Sequence, residues 1–149
     1  MDHFLLINKY NTGIFSDYRE HAEADEYNGC EYFFNKQKYI QRTSKITPKK
    51  VGQFVTLWKR NEHNITTPLS YEDDFDFVVI LCLDKEKVGR FIFPKETLLK
   101  NNILSTLTDK DTGKRGFRVY PSWDRPTNRQ AISTQNWQIK YFSEQLSLI

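Results

Sequence analysis

Between Glu31 and Glu62 the chain carries eight Lys or Arg residues and no Asp or Glu, in the run EYFFNKQKYIQRTSKITPKKVGQFVTLWKRNE. The net charge over 149 residues is only +3, so the charge is sorted along the chain rather than accumulated. A one-sign stretch inside a folded domain repels itself unless water, counterions or a polyanion lies over it. Nucleic acid is the commonest such polyanion, and each phosphate neutralised releases counterions. A solvated basic face is the other reading of the same run. A second basic block, GKRGFRVYPSWDRPTNRQ, interleaves Lys114, Arg115, Arg118, Arg125 and Arg129 with Phe117, Tyr120 and Trp123. Sequence-tolerant single-strand binders work with this combination, phosphates tracking the cations while bases stack on the rings. Phe117 reads as an ordinary core residue of a strand. Trp123, in a turn between Pro121 and Pro126, either stacks on a base or caps the core. Gln130, Thr134, Gln135 and Gln138 offer amides and hydroxyls to sugar or base edges, or simply face solvent on a helix.

Within the first block, Thr47-Pro48 predicts a helix start, with Thr as N-cap and Pro at the first helical position. Val51, Phe54, Val55 and Trp58 then fall at i, i+3, i+4 and i+7, one apolar stripe, and Lys49, Gln53, Thr56 and Arg60 lie opposite. Cations in a first turn oppose the macrodipole at about 0.3–1 kcal/mol each. Unpaired N–H groups at the same end form a phosphate cradle, which would make ligands of Lys49 and Lys50. Gly52 inside that helix costs about 1 kcal/mol relative to Ala, which close helix–sheet packing or the approach of a nucleic-acid strand would explain.

Hydrolysis would need acids, and Glu31, Asp74 and Asp76 are the best candidates. A metal-dependent nuclease gathers two or three carboxylates on one ion, with a lysine to position the attacking water. The acid-x-Lys spacing is missing from Gln41-Arg42-Thr43-Ser44-Lys45, and Asp73, Asp74 and Asp76 read as a solvated turn at a strand start. Cys30 and Cys82, with the scattered His3, His21 and His63, give neither a disulfide framework nor metal-ligand spacing. No nucleophile elbow, Gly-rich phosphate loop or kinase signature is present, and no cofactor is expected.

These groups have to be positioned by a domain rich in aromatics, at 15% of residues. The acid-rich segment from Asp17 to Glu26 reads as a helix ended by Asn28-Gly29. EYFFN and KYIQRTSK read as two strands around a tight turn at Lys36-Gln37. Phe75 to Leu83 is apolar on both strand faces, which predicts a central strand covered on both sides, with Gly89 to Phe93 as its hairpin partner. Pro94 opens a short helix over Lys95 to Leu99, and FRVY at Phe117–Tyr120 is a further strand. A C-terminal helix is predicted from about Arg129 to Leu146, with a capping box at Thr127–Gln130 and Trp137, Tyr141 and Phe142 toward the core. The expectation is one α/β domain over residues 1–149, a sheet with helices on both faces. The apolar run Val78–Leu83 is far too short to span a bilayer. The opening MDHFLLINKYN lacks the basic and apolar regions of a signal peptide, so a cytoplasmic protein without a membrane partner is expected.

The segments TSKITPKKVGQFVTLWKR, FDFVVILCLD with its following GRFIFPK, and GKRGFRVYPSWDRPTNRQA with STQNWQIKYF together resemble the MepB family. They cover the chain from about Glu31 to Phe142. That family is associated with a bacterial multidrug-efflux operon, and its fold is similar to the PD-(D/E)XK nuclease core. The resemblance implies a mixed central sheet flanked by helices, ordered as helix, three mostly antiparallel strands, helix, strand. Carried over residue by residue, the nuclease motif fails: Lys45 stands where the lysine would, but Thr43, two residues before it, offers a hydroxyl. The resemblance therefore implies a nuclease-shaped scaffold that lacks the metal site and keeps a nucleic-acid surface, although fold alone licenses no activity. The expected partner is nucleic acid, with single-stranded DNA or RNA favoured. The expected contact residues are Lys45, Lys49, Lys50, Gln53, Arg60, Lys114, Arg115, Arg118, Tyr120, Trp123, Arg125, Arg129 and Gln135. The alternatives are a metal-dependent nuclease with a migrated carboxylate set from Glu31, Asp74 and Asp76, and an adaptor for an acidic protein.

Overall fold

The computed structural model describes residues 15–110 and 112–144. The opening MDHFLLINKYN and the predicted end of the last helix near Leu146 lie outside the described residues. The chain begins as an antiparallel meander of β1 (Phe15–Glu20), β2 (Cys30–Phe34) and β3 (Gln37–Thr43). Between β1 and β2 the acidic segment makes only a 3-10 helix, Ala22–Tyr27, ended by Asn28 in the left-handed region. The β2–β3 turn falls at Asn35-Lys36, one residue earlier than predicted, with φ of 49° and 69°. Two successive left-handed residues match the right-handed twist of a hairpin.

β8 (Phe77–Asp84) lies parallel to β3, Tyr39 beside Phe77 through Thr43 beside Leu81, and antiparallel to β9 (Lys87–Pro94). With β11 (Phe142–Ser143) on the far edge, these strands form one six-stranded mixed sheet. β8 is buried on both faces, as its composition predicts. Val78, Ile80 and Cys82 share one core with Phe91 and Phe93, while Val79 joins Tyr32 and Tyr39 on the opposite face.

The largest departure lies between β3 and β8. Thr47 to Arg60 is not a helix but a turn followed by strands. β5 (Gln53–Thr56) runs between β4 (Lys45–Ile46) and β10 (Gly116–Val119) in a three-stranded sheet. β6 (Trp58–Arg60) pairs with β7 (Thr66–Pro68). Gly52 explains the break: its φ is +87°, and an added Cβ would lie 2.7 Å from the Tyr120 ring. Only glycine accepts both conditions. Beyond it Gln53, Val55 and Leu57 are buried while Phe54, Thr56 and Trp58 are half-buried, the period of two that belongs to a strand. The helical stripe was a coincidence of spacing, and its first member, Val51, is 45% exposed. Thr47 caps nothing; its Oγ1 accepts a hydrogen bond from Arg118. Lys45, placed by the sequence on the second hairpin strand, belongs instead to β4 in the smaller sheet.

α1 (Lys95–Lys100) follows Pro94 as predicted, and α2 (Arg129–Gln138) is capped by Asn128, one residue later than the expected box. The Asn128 side chain accepts the Ala131 N–H at 2.8 Å. α2 stops at Gln138, and a 3-10 turn, Ile139–Tyr141, leads into β11. Trp137, Tyr141 and Phe142 pack on the core as expected, the Trp137 ring 5.5 Å from Phe93. Both α-helices reach the same core, Leu98 from α1 and Trp137 from α2, where Val55 and Val119 of the smaller sheet also pack. Helices on both faces is thus corrected to an α/β fold with a mixed sheet and few helices. Among the described residues, no helix is long and apolar enough to cross a membrane.

Candidate nucleic-acid interface

The pairing of β10 with β5 brings the second basic block against the first. Arg118 stands opposite Phe54, and Lys45 stands opposite Phe54 on the other side, so one cross-strand row reads Lys45, Phe54, Arg118. The Phe54 ring is seated by Gly116, where an added Cβ would lie 2.6 Å from it. Beside this row a cleft of about 680 Å³ opens between the Lys49–Val51 turn, β10 and the start of α2. Half-buried Phe54 and Trp137, with the nearly buried Phe117 and Tyr120, form its aromatic lining. Lys49, Lys50 and Lys114 are exposed cations around it, and Asn128, Gln130 and Thr134 add polar groups from α2.

Two sets of hydrogen bonds hold this arrangement. The Arg118 guanidinium donates to the Thr47 hydroxyl at 2.8 Å and to the carbonyls of Val51, Lys50 and Gly52, so it ties down the turn that carries the two lysines. The fully buried Gln138 accepts from the Tyr120 N–H and donates to the Arg118 carbonyl, each at 2.9 Å. One side chain of α2 thus bonds two backbone groups along the free edge of β10.

Of the residues proposed from the sequence, Lys49, Lys50, Lys114, Arg118 and Tyr120 line this cleft together. Gln53 is corrected: its side chain is buried, accepting from Ser44 and donating to the Leu83 carbonyl. Trp123 is corrected too. Its ring meets Phe142 edge-on at 5.5 Å and its indole N–H is buried, so it caps the core. Gln135 donates to the carbonyls of Tyr120, Pro121 and Asp124, fixing the turn rather than facing a ligand. Arg115 bonds the Thr66 carbonyl at 3.0 Å, which joins β10 to β7. Arg125 and Arg129 are exposed and outside the cleft lining. Lys45 and Arg60 lie toward a second hollow, Lys45 over the Tyr27 ring and Arg60 over the Trp58 ring. Phe54 and Trp137, read from the sequence as core residues, are half-buried cleft rings that the sequence reading left unassigned. The outward phase of Phe54 in a period-two reading was the signal available.

The candidate acids stand apart from this cleft. One Glu31 oxygen accepts from Arg19 and His21, each at 2.7 Å, and the other lies 3.1 Å from the Lys38 ammonium. Burial alone would raise the Glu31 carboxyl, but hydrogen bonds from His21, Arg19 and Lys38 prevail and hold it at about 2. Burial lowers the His21 imidazole, and the nearby Arg42 charge adds to the effect. The Asp76 carboxylate accepts the Lys38 backbone N–H, and Asp74 is exposed. Among the described residues, no group of three His, Cys, Asp or Glu is placed to hold a metal ion. The two thiols are buried and free, each pushed up to about 12 by burial.

A lowered carboxyl stabilises the fold fully above its ordinary value of 4.5, and that contribution is lost as pH falls toward about 2. Thermal melts across this window will show a stability loss that Glu31→Gln lacks. Equal acid sensitivity in the two proteins would remove Glu31 from this role.

A family model described as MepB-like matches residues 21–144. The fold is similar to a crystal structure of MepB, with 40% sequence identity, a TM-score of 0.82 and coverage of 87% of this chain and 85% of that one. No curated protein matches the chain. With the family model spanning both basic blocks, the central β8–β9 hairpin and α2, the chain belongs to the MepB-like family.

Proposed function

We propose that this protein is a non-catalytic nucleic-acid binder of the cytoplasm that favours single-stranded DNA or RNA. The observation that carries this reading is the convergence of two basic blocks, distant in sequence, on one aromatic-lined cleft. Lys49, Lys50 and Lys114 supply charge for phosphates, while Phe54 and Trp137 offer half-buried rings. Duplex bases hide their faces, so such rings serve a single strand. Two free, buried cysteines suit a reducing compartment. A PD-(D/E)XK-like scaffold is part of the reading, supported by the β1–β3 meander with β8 parallel beside β3. Glu31 and Asp76 are engaged by groups of the protein itself, which supports binding without hydrolysis.

Fluorescence anisotropy with labelled single-stranded DNA, RNA and duplex, with Mg²⁺ or Mn²⁺ present, tests this directly. Single strands will bind more tightly than duplex and stay intact. Equal binding of duplex sinks the single-strand preference. Metal-dependent cleavage that disappears in Asp74→Ala or Asp76→Ala shows a migrated carboxylate site instead.

A further inference from the structure

The second hollow lies outside the cleft just described. It holds about 440 Å³ between the 3-10 segment and the outward face of β5 and β6, with Thr56, Trp58 and Arg60 on its sheet side. Phe54 is the divide between the two spaces. Its ring lines the cleft and meets the Tyr27 ring edge-on at 6.5 Å, and Tyr27 lines the hollow. Phe54, Thr56 and Trp58 alternate on one side of the chain, and four residues of extended backbone separate Phe54 from Trp58 by about 13 Å.

Both rings at this end carry a cation. The Lys45 ammonium is 4.6 Å from the Tyr27 centroid, and the Arg60 guanidinium is 5.3 Å from that of Trp58. Rings for bases beside cations for the backbone are the working parts of a single-strand groove. Resting on the reading that the cleft takes a single strand, we propose that this hollow is a second base-stacking subsite. It receives the next nucleotides of the same strand after the strand crosses Phe54. Bases stack on Trp58 and Tyr27, and Lys45 and Arg60 turn to the phosphates. Lys45 is free to do so, because its Glu26 contact is 4.0 Å between side chains 49% and 84% exposed. Such surface pairs contribute little. Glu23, Asp25 and Glu26 along the opposite wall repel phosphates, which turns the backbone toward the sheet side.

Anisotropy titrations of oligothymidylates and oligouridylates of increasing length test the path. Affinity will rise in two stages, first as the cleft fills and again when the strand reaches Trp58. Trp58→Ala will remove the second rise alone, a loss of about 5- to 150-fold from the worth of one stacked base. Trp58→Phe will keep it, which separates stacking from folding. Neutralising the exposed wall with Glu23→Gln, Asp25→Asn and Glu26→Gln together will tighten long strands and leave short ones unchanged. A second rise that survives Trp58→Ala undiminished, long-strand affinity that the neutralised wall leaves unchanged, or no second rise at all, overturns the subsite and leaves the cleft standing. Failure of every length to bind the wild-type protein overturns the cleft reading itself.

Discussion

A Gln138→Leu variant will unfold at lower urea than the wild type, with about 2–6 kcal/mol of stability lost. Two backbone groups depend on this side chain. β10 is the edge of its sheet, so the Tyr120 N–H and Arg118 carbonyl have no strand to meet, and the Gln138 amide stands in for one. The side chain is fully buried, so no water replaces it readily. Leucine fills similar space yet leaves one donor and one acceptor orphaned, at about 1–3 kcal/mol each. Gln138→Glu keeps the acceptor but sets a carboxylate oxygen against the Arg118 carbonyl, so it will not rescue the fold. The readout is the urea midpoint at constant slope, since a changed slope would report an altered denatured state. A shift worth less than about 0.5 kcal/mol would mean that solvent satisfies both groups after all.

The second large effect is on binding. Raising salt from about 50 to 200 mM will weaken the affinity of a strand short enough to fill only the cleft by about 20-fold, because three phosphate contacts give a slope of about −2 in log–log terms. Three is the number of exposed lysines around the cleft, Lys49, Lys50 and Lys114. Arg118 is left out of that sum because its guanidinium is already engaged by the Thr47–Gly52 turn. Replacing the three lysines with glutamine will flatten the slope and weaken all sequences alike. An affinity that does not move with salt rules out phosphate contacts as its source.

Much of the fold was legible because it is written locally. β8 declares itself through apolar residues on both strand phases, and the hairpin that precedes it through alternating aromatics and a polar turn. The stretch from Val51 to Trp58 was misread because helix and strand patterns share the same hydrophobic positions there. Deciding between them needed the backbone angle at Gly52, which depends on the Tyr120 ring of a strand far along the chain. The site was legible in its charges but not in its rings. Trp123 looked free in its proline-flanked turn, and only the return of the chain at Phe142 covers it. Phe54 looked buried, and the outward phase of β5 half-exposes it. Gln53 and Gln135 show the same limit: an amide in a basic segment does not reveal whether it faces a ligand or a carbonyl of its own protein.

The register of β5 against β10 joins Gln53 to Val119 and Thr56 to Gly116, across about half of the described chain. By contrast the β2–β3 and β8–β9 hairpins close over a few residues. Closing a long loop costs entropy before its contacts repay it, so such pairings form slowly. During synthesis both hairpins have their partners well before β10 has emerged, and until then the Lys49–Lys50 turn lacks the arginine that shapes it. The large sheet, all but its edge strand β11, is thus the early part of this molecule and the cleft the late part: a nascent chain carries its charge long before it has a place to put a base.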